Sequence, residues 1–283
     1  MTTSEAFEYC KNIATKHYEN FPVGLFIPKS LKKYVYSIYA FARFADDIAD
    51  DENIPIEDKK SGLLEWLNML DKCYEEKADH PIFIALMETK NKFQIPKELF
   101  ENLIKAFLMD IEKNRFYSFD EILYYCNYSA NPIGRLILLL FKKNNEENLL
   151  LSDKICTALQ ITNFLQDVNL DLKKNRIYFP LDDFIKNNYS EEFFFNKVMN
   201  QSFINIITNQ IEKTEYLFNE GEKLLRNLNG KLKFEIALTI IGGKSILDKV
   251  KKNKEIIFEK RPKLNLIDKI IILFKAIKKW ILT

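Results

Sequence analysis

Two stretches of this sequence gather hard oxygen donors at helical spacing. The first reads Tyr39-Ala-Phe-Ala-Arg43-Phe-Ala-Asp46-Asp47-Ile-Ala-Asp50-Asp51. Residues four apart share a helix face, so Asp46 and Asp50 project together. Asp47 flanks them, and Arg43 and Tyr39 continue the stripe one and two turns earlier. The second reads Gln160-Ile-Thr-Asn163-Phe-Leu-Gln166-Asp167-Val-Asn-Leu-Asp171 and leads into Lys173, Lys174, Arg176 and Tyr178. Asn163, Asp167 and Asp171 repeat the four-residue step. Exposed like charges at that spacing repel by about 0.2–0.5 kcal/mol per pair. The apolar neighbours Phe41, Ile48, Phe164, Leu165 and Val168 predict largely internal helices, where the repulsion grows and a cation must offset it. Carboxylate and amide oxygens suit Mg²⁺, which keeps several waters and shares its shell with substrate phosphates. Two facing clusters of this kind could clamp a diphosphate, with Arg43, Arg176 and nearby lysines holding its oxygens directly. Metal there would act as a Lewis acid on a leaving diphosphate. The carbocation left behind needs a dry, aromatic-lined cavity, and the chain has 23 Phe, 13 Tyr and 2 Trp to line one.

Each residue also has a plainer structural reading. The first acidic stretch alone could be a solvated helix face. The second is more telling, because Asn and Asp interrupt an otherwise apolar helix. Tyr39 by itself reads as a packed tyrosine, and Arg43 as either a phosphate contact or an ion-pair partner of its neighbours. His17 has no visible carboxylate relay and reads as a hydrogen-bonded structural residue. Most of the aromatics are core.

The elements that must position these groups are helices. Apolar residues recur at helical period nearly throughout. They predict helices near 3–20, 30–51, 57–77, 80–92, 96–113, 119–129, 132–144, 150–173, 181–187, 190–199, 201–227, 231–259 and 266–281. Breaks are expected at Pro28, Asn53-Ile54-Pro55, Pro81, Pro96, Asn131-Pro132, Asn144-Asn145, Pro180 and Pro262. Only seven glycines and eight prolines occur in 283 residues, too few for an all-β chain with its frequent turns. With no Gly-, Ser- or Pro-rich linker, the expectation is an all-α chain with one domain over 1–264 and a separate C-terminal helix over 265–283.

Composition excludes several classes. A net charge of +2 argues against a polycation that coats nucleic acid, so no nucleic-acid partner is expected. Four scattered cysteines without a CxxC and two histidines argue against zinc and fit reduced thiols in a cytoplasmic protein. No apolar leader and no spanning run are visible. The charge is uneven: residues 249–283 hold eleven Lys/Arg and three Asp/Glu, or +8, against −6 for the rest. The end of that run, Leu-Ile-Asp-Lys-Ile-Ile-Ile-Leu-Phe-Lys-Ala-Ile-Lys-Lys-Trp-Ile-Leu-Thr, has the pattern of an interfacial amphipathic helix, with Trp280 at its boundary. Peripheral contact with the inner face of the cytoplasmic membrane is one expectation; packing on the core or on a protein partner is the other.

The stretches 39–50 and 159–180 together make the chain resemble the squalene/phytoene synthase family, with similarity from about His17 to Leu264. The resemblance implies an isoprenoid-synthase-type helical bundle around a central apolar cavity, and an isoprenoid diphosphate substrate. It implies Mg²⁺ held by Asp46, Asp50, Asn163, Asp167 and Asp171. It places Tyr39 on the cation side and Arg43 on the diphosphate side. His17, Asp47, Gln160, Arg176, Tyr178 and Arg261 join them as substrate or diphosphate contacts. Residues 17–24, 125–136 and 242–264 look most like the bacterial hydroxysqualene synthase branch. That branch implies ionisation of presqualene diphosphate, rearrangement and capture by water, with no nicotinamide cofactor. It also implies neighbouring enzymes that make presqualene diphosphate and process hydroxysqualene. Head-to-head condensation of two prenyl diphosphates is the alternative within the family, and a non-catalytic assembly factor of the same fold is the alternative outside it. The chain departs from the family pattern in three places. Gln166 stands where Arg is frequent, Tyr18-Glu19-Asn20 replaces a basic or small polar residue after His17, and Glu255 stands where Tyr is expected. The first two remove potential diphosphate contacts and fit an enzyme that handles one diphosphate.

Overall fold

Pro28 opens the helix that carries the first acidic stretch. Its fixed φ of −52° and ψ of 140° stop any earlier helical turn, and α2 (Lys29–Asp50) begins at the next residue. In this computed structural model, which describes residues 1–16 and 26–282, Tyr34, Ile38, Phe41, Ala45 and Ala49 form the buried stripe of α2. Their spacing of three and four is what one face of a helix requires.

The described chain gathers into two units. The first comprises Met1–Glu112 and Pro132–Leu149. In it α2 packs among α1 (Thr3–Lys16), α3 (Ile56–Tyr74), α4 (Pro81–Phe93) and α5 (Glu98–Glu112), with Leu136 and Leu140 of α7 (Asn131–Leu140) in the same core. Phe41 is the hub. Its ring lies 5.9 Å from that of Trp66, 5.8 Å from Phe83 and 5.1 Å from Phe100. The buried Ser37 and Thr89 hydroxyls satisfy each other at 2.8 Å, so α2 and α4 meet without an orphaned polar group there. This core fixes the rotation of α2 and hence the face on which Asp46 and Asp50 emerge.

The second unit comprises Lys113–Asn131 and Leu150–Thr283. It holds α6 (Phe119–Ser129), most of α8 (Glu146–Gln166), α9 (Val168–Lys173), α10 (Leu181–Lys186), α11 (Glu191–Phe195), α12 (Gln201–Gly221), α13 (Gly230–Lys252) and α14 (Leu266–Leu282). Two glycines let neighbours approach α8 closely. A Cβ on Gly221 would sit 2.6 Å from Ile155 Cγ1 and 3.0 Å from the Leu151 carbonyl oxygen. One on Gly243 would sit 2.6 Å from Leu159 Cδ2 and 2.7 Å from Phe218 Cζ. Both clashes vanish without a side chain, so α12 and α13 seat the helix that ends at the second acidic stretch.

The all-α class holds, with one addition. Arg115–Phe116 (β1) and Ile177–Pro180 (β2) pair as a short parallel ladder, Arg115 opposite Ile177. Runs this short carry no periodicity, so the ladder was invisible to pattern. Three helices differ from expectation. The predicted helix over 150–173 is interrupted at Asp167, whose φ is −104° and ψ 14°. That over 201–227 tightens to 3₁₀ geometry over Glu222–Arg226. That over 231–259 stops at Lys252, where the Asn253 side-chain amide donates to the Lys249 carbonyl at 2.7 Å. The expected helix over 3–20 is described only to Lys16. Among the described residues no helix is long and apolar enough to cross a membrane.

Replacing Gly221 by Ala should lower stability by about 1–3 kcal/mol through overpacking against α8, despite alanine's better helix propensity. Urea unfolding followed by far-ultraviolet circular dichroism measures this. An unchanged midpoint would mean that α8 moves aside freely.

Candidate functional site

One candidate group of functional residues, in the first unit, is the C-terminal end of α2. A helix ends in a partial negative charge, and cations are the favoured residues there. α2 does the opposite: its last turn has no basic residue, and Asp46, Asp47, Asp50 and Asp51 crowd its end. Two cationic groups offset part of this charge from inside the unit. The Arg43 guanidinium donates through Nη1 to Asp46 Oδ2 at 3.1 Å and reaches Asp47 Oδ1 through Nη2 at 2.6 Å. Burial works against its charge, but Asp47 and Asp46 outweigh burial and raise its pKa above the ordinary arginine value. Lys59 donates to the Ala49 carbonyl at 2.9 Å, occupying one of the last acceptors of the helix. Asp50 is exposed, Asp46 and Tyr39 are half-buried, and Asp51 Oδ1 turns back to accept from the Asn53 backbone at 2.9 Å. Arg43 therefore lies against the acids of its own helix.

Another candidate group, in the second unit, is the junction of α8 and α9. Asp167 belongs to neither helix, yet its N–H donates to the Asn163 carbonyl and its own carbonyl accepts from Asp171 N–H, both at 2.9 Å. These two bonds carry the four-residue step across the interruption. Asn163 is exposed; Gln160, Asp167 and Asp171 are half-buried. Asp167 is gripped by Arg261, whose Nη2 donates to Oδ2 at 3.0 Å while Nε donates to Oδ1. A fork of this kind matches both carboxylate oxygens at once. The segment that carries Arg261 is fixed by Gln166. This side chain is 1% exposed, and its amide donates to the Pro262 carbonyl at 2.5 Å.

The chain after α9 is held from a distance. Asn175 takes a left-handed φ of 55°, and Arg115 donates to its carbonyl at 2.5 Å and to its Oδ1 at 2.9 Å while pairing with Glu191 at 2.6 Å. Arg176 N–H donates to the Asp171 carbonyl at 2.9 Å. Tyr178, expected beside substrate, stacks on Phe164 at 3.8 Å with the rings 4° from parallel, and Phe116 lies 5.5 Å away. Gln166 as a clamp and Arg115 as a strut were not legible in the sequence as site residues. Gln166 was visible as a neutral residue beside Asp167, but Arg115 left no signal, because its partner is 60 residues away.

Other chemistry is disfavoured. Cys10 and Cys73 are buried, and burial pushes each thiol up to about 12. Burial raises Cys126 as well. None is poised as a thiolate nucleophile. His80 caps α4, accepting from Ile82 N–H at 3.2 Å. His17 lies outside the described residues. Among the described residues no group of three or more His, Cys, Asp or Glu side chains is placed to hold a metal ion. The donors available are carboxylates and one amide, without nitrogen or sulfur. By donor chemistry alone, carboxylate and amide oxygens suit a hard cation that completes its shell with water and phosphate, as Mg²⁺ does, better than they suit zinc.

Residues 14–268 match the family described as squalene/phytoene synthase. The chain is 32% identical to squalene synthase HpnC from Alicyclobacillus acidocaldarius, whose crystal structure superposes with a TM-score of 0.85 over 89% of this chain and 95% of that one. It is 24% identical over 274 residues to the phytoene synthase of Arthrospira platensis, covering 92% of this chain and 88% of the relative. It is 26% identical over 265 residues to the chloroplastic phytoene synthase of an Oncidium hybrid cultivar, and spans 64% of that longer relative.

If Arg261 competes with a metal ion for Asp167, removing it should favour the metal. Replacing Arg261 by Gln should tighten Mg²⁺ binding about fivefold, the value of roughly 1 kcal/mol for a partly exposed ion pair. Calorimetric titration of the ligand-free protein reads this directly; weaker or unchanged Mg²⁺ binding would count against the competition.

Proposed function

We propose that this chain, which belongs to the squalene/phytoene synthase family over residues 14–268, ionises one prenyl diphosphate, presqualene diphosphate, and ends the cascade with water. The observation that carries the choice is Gln166. At a position where the family often has Arg, this chain has a neutral amide, buried and used on the Pro262 carbonyl. It presents no charge to a second diphosphate. Its effect is instead to hold Arg261 against Asp167.

In this reading Asp46, Asp50, Asn163, Asp167 and Asp171 hold Mg²⁺. When bound, Mg²⁺ would neutralise the diphosphate and act as a Lewis acid on its departure. Arg43 and Arg261 give up carboxylate partners for diphosphate oxygens, and Arg176 adds a third guanidinium. The substrate C–O bond breaks, and its electron pair leaves with diphosphate. The cyclopropylcarbinyl cation rearranges, a water oxygen lone pair bonds to it, and the resulting oxonium loses its proton to the departed diphosphate or to solvent, leaving hydroxysqualene. Aromatic rings such as that of Tyr39 would face the cation and keep bulk water away. An enzyme forming presqualene diphosphate would supply the substrate, and one consuming hydroxysqualene would follow.

A second reading within the family is head-to-head condensation of two prenyl diphosphates. It is favoured by the phytoene synthases among the relatives.

Purified protein incubated with Mg²⁺ and presqualene diphosphate should release diphosphate and hydroxysqualene, identified by mass spectrometry, and should give no product from farnesyl diphosphate alone. Replacing Asp167 by Ala should reduce diphosphate release by at least about a hundredfold, as expected when a group that stabilises transition-state charge is lost. Product from farnesyl diphosphate would move the chain to the condensing reading. Unchanged turnover in the Asp167 variant would refute the site.

A further inference from the structure

The helix α14 is fastened along one edge and bare along the other. Ile272 and Ala276, one turn apart, are 1% and 0% exposed. Near its start Asp268 pairs with Lys249 at 2.8 Å. Near its end Lys279 pairs with Glu222, which also receives Lys244 at 2.7 Å. Trp280 Nε1 donates to the Gly230 carbonyl at 3.2 Å, and its ring meets Phe234 edge-on at 5.8 Å. The helix is thus pinned at both ends, and its rotation is set.

That rotation turns a greasy ridge outward. Ile267, Ile270, Phe274, Ile277 and Ile281 follow each other at spacings of three and four on the side opposite Ile272 and Ala276. Ile267 and Phe274 are each 68% exposed and Ile281 69%. Leu266, Ile271, Leu273 and Leu282 are exposed too and widen the ridge to about half the circumference. A contiguous apolar patch of this kind marks an interaction surface, unlike isolated exposed leucines.

Charge decides what it meets. The ridge is flanked by Lys269, Lys275 and Lys278, and the one acid of the helix, Asp268, is engaged with Lys249. A coiled-coil partner would call for a narrow seam with charges of both signs beside it. A second copy would bring these lysines against their own kind. An anionic bilayer satisfies both parts: acyl chains for the ridge and lipid phosphates for the lysines. The length also fits, since the helix is too short and too charged to span.

We propose that α14 docks this chain in the plane of an anionic membrane, with the ridge Ile267–Ile281 inserted at the headgroup boundary. The docking rests on α14 alone and does not depend on which reaction the aspartates perform.

Co-sedimentation of the full chain with vesicles tests it. The protein should pellet with phosphatidylcholine–phosphatidylglycerol vesicles and bind pure phosphatidylcholine vesicles at least about tenfold more weakly. The variant Lys269→Gln, Lys275→Gln, Lys278→Gln should lose about tenfold or more in binding to the anionic vesicles. The variant Phe274→Ser, Ile281→Ser should lose binding altogether. Both sets of changes lie on the exposed side, and circular dichroism checks that the helices persist. Failure of the parent protein to pellet with anionic vesicles, or equal pelleting of the ridge variant, would overturn the proposal. So would gel filtration showing a dimer that depends on the ridge, without vesicle binding.

Discussion

Negative charge placed where a helix least tolerates it is the constraint around which this protein is arranged. Four aspartates crowd the C-terminal end of α2, where the backbone already carries partial negative charge. Asp167 occupies the one-residue interruption between α8 and α9. Neither placement helps folding, and each is tolerated because a guanidinium lies against it. Arg43 bridges Asp46 and Asp47 within one helix, and Arg261 reaches Asp167 from 94 residues away. In the proposed reading, these exchangeable cationic partners give way to a different cation when a phosphate-bearing ligand takes the arginines.

The remaining architecture serves to hold these groups still. Phe41 locks the rotation of α2 through three aromatic neighbours, so the acids emerge on a fixed face. Gly221 and Gly243 let α12 and α13 approach α8 closely. Arg115 ties down the backbone at Asn175, just after α9, and the stacked rings of Phe164 and Tyr178 join α8 to β2. The groups proposed to do chemistry are half-buried or exposed, while those that place them are mostly buried. This division is what a site of rigid supports and exchangeable ligands requires.

Much of this was legible in the sequence, for a physical reason. Helical period and four-residue spacing are local properties, so the all-α class, the bounds of α2 and the shared face of Asp46 and Asp50 followed from pattern. The interruption at Asp167 did not, because the interrupted segment keeps its apolar period and its four-residue step. The ladder of Arg115–Phe116 with Ile177–Pro180 was hidden because two to four residues have no period to read. Tyr178 sat in a signature stretch and was expected beside substrate; its stack on Phe164 is a contact that only the folded chain reveals. Gln166 looked like a missing charge; the structure shows what the amide does instead.

Binding of inorganic pyrophosphate, followed by calorimetry with and without Mg²⁺, tests the exchange of cations most directly. The account predicts that pyrophosphate binds only when Mg²⁺ is present, and that Asp46→Asn and Asp167→Asn each abolish the heat of binding while leaving the fold intact. Binding that needs no Mg²⁺, or that survives in both variants, would contradict it.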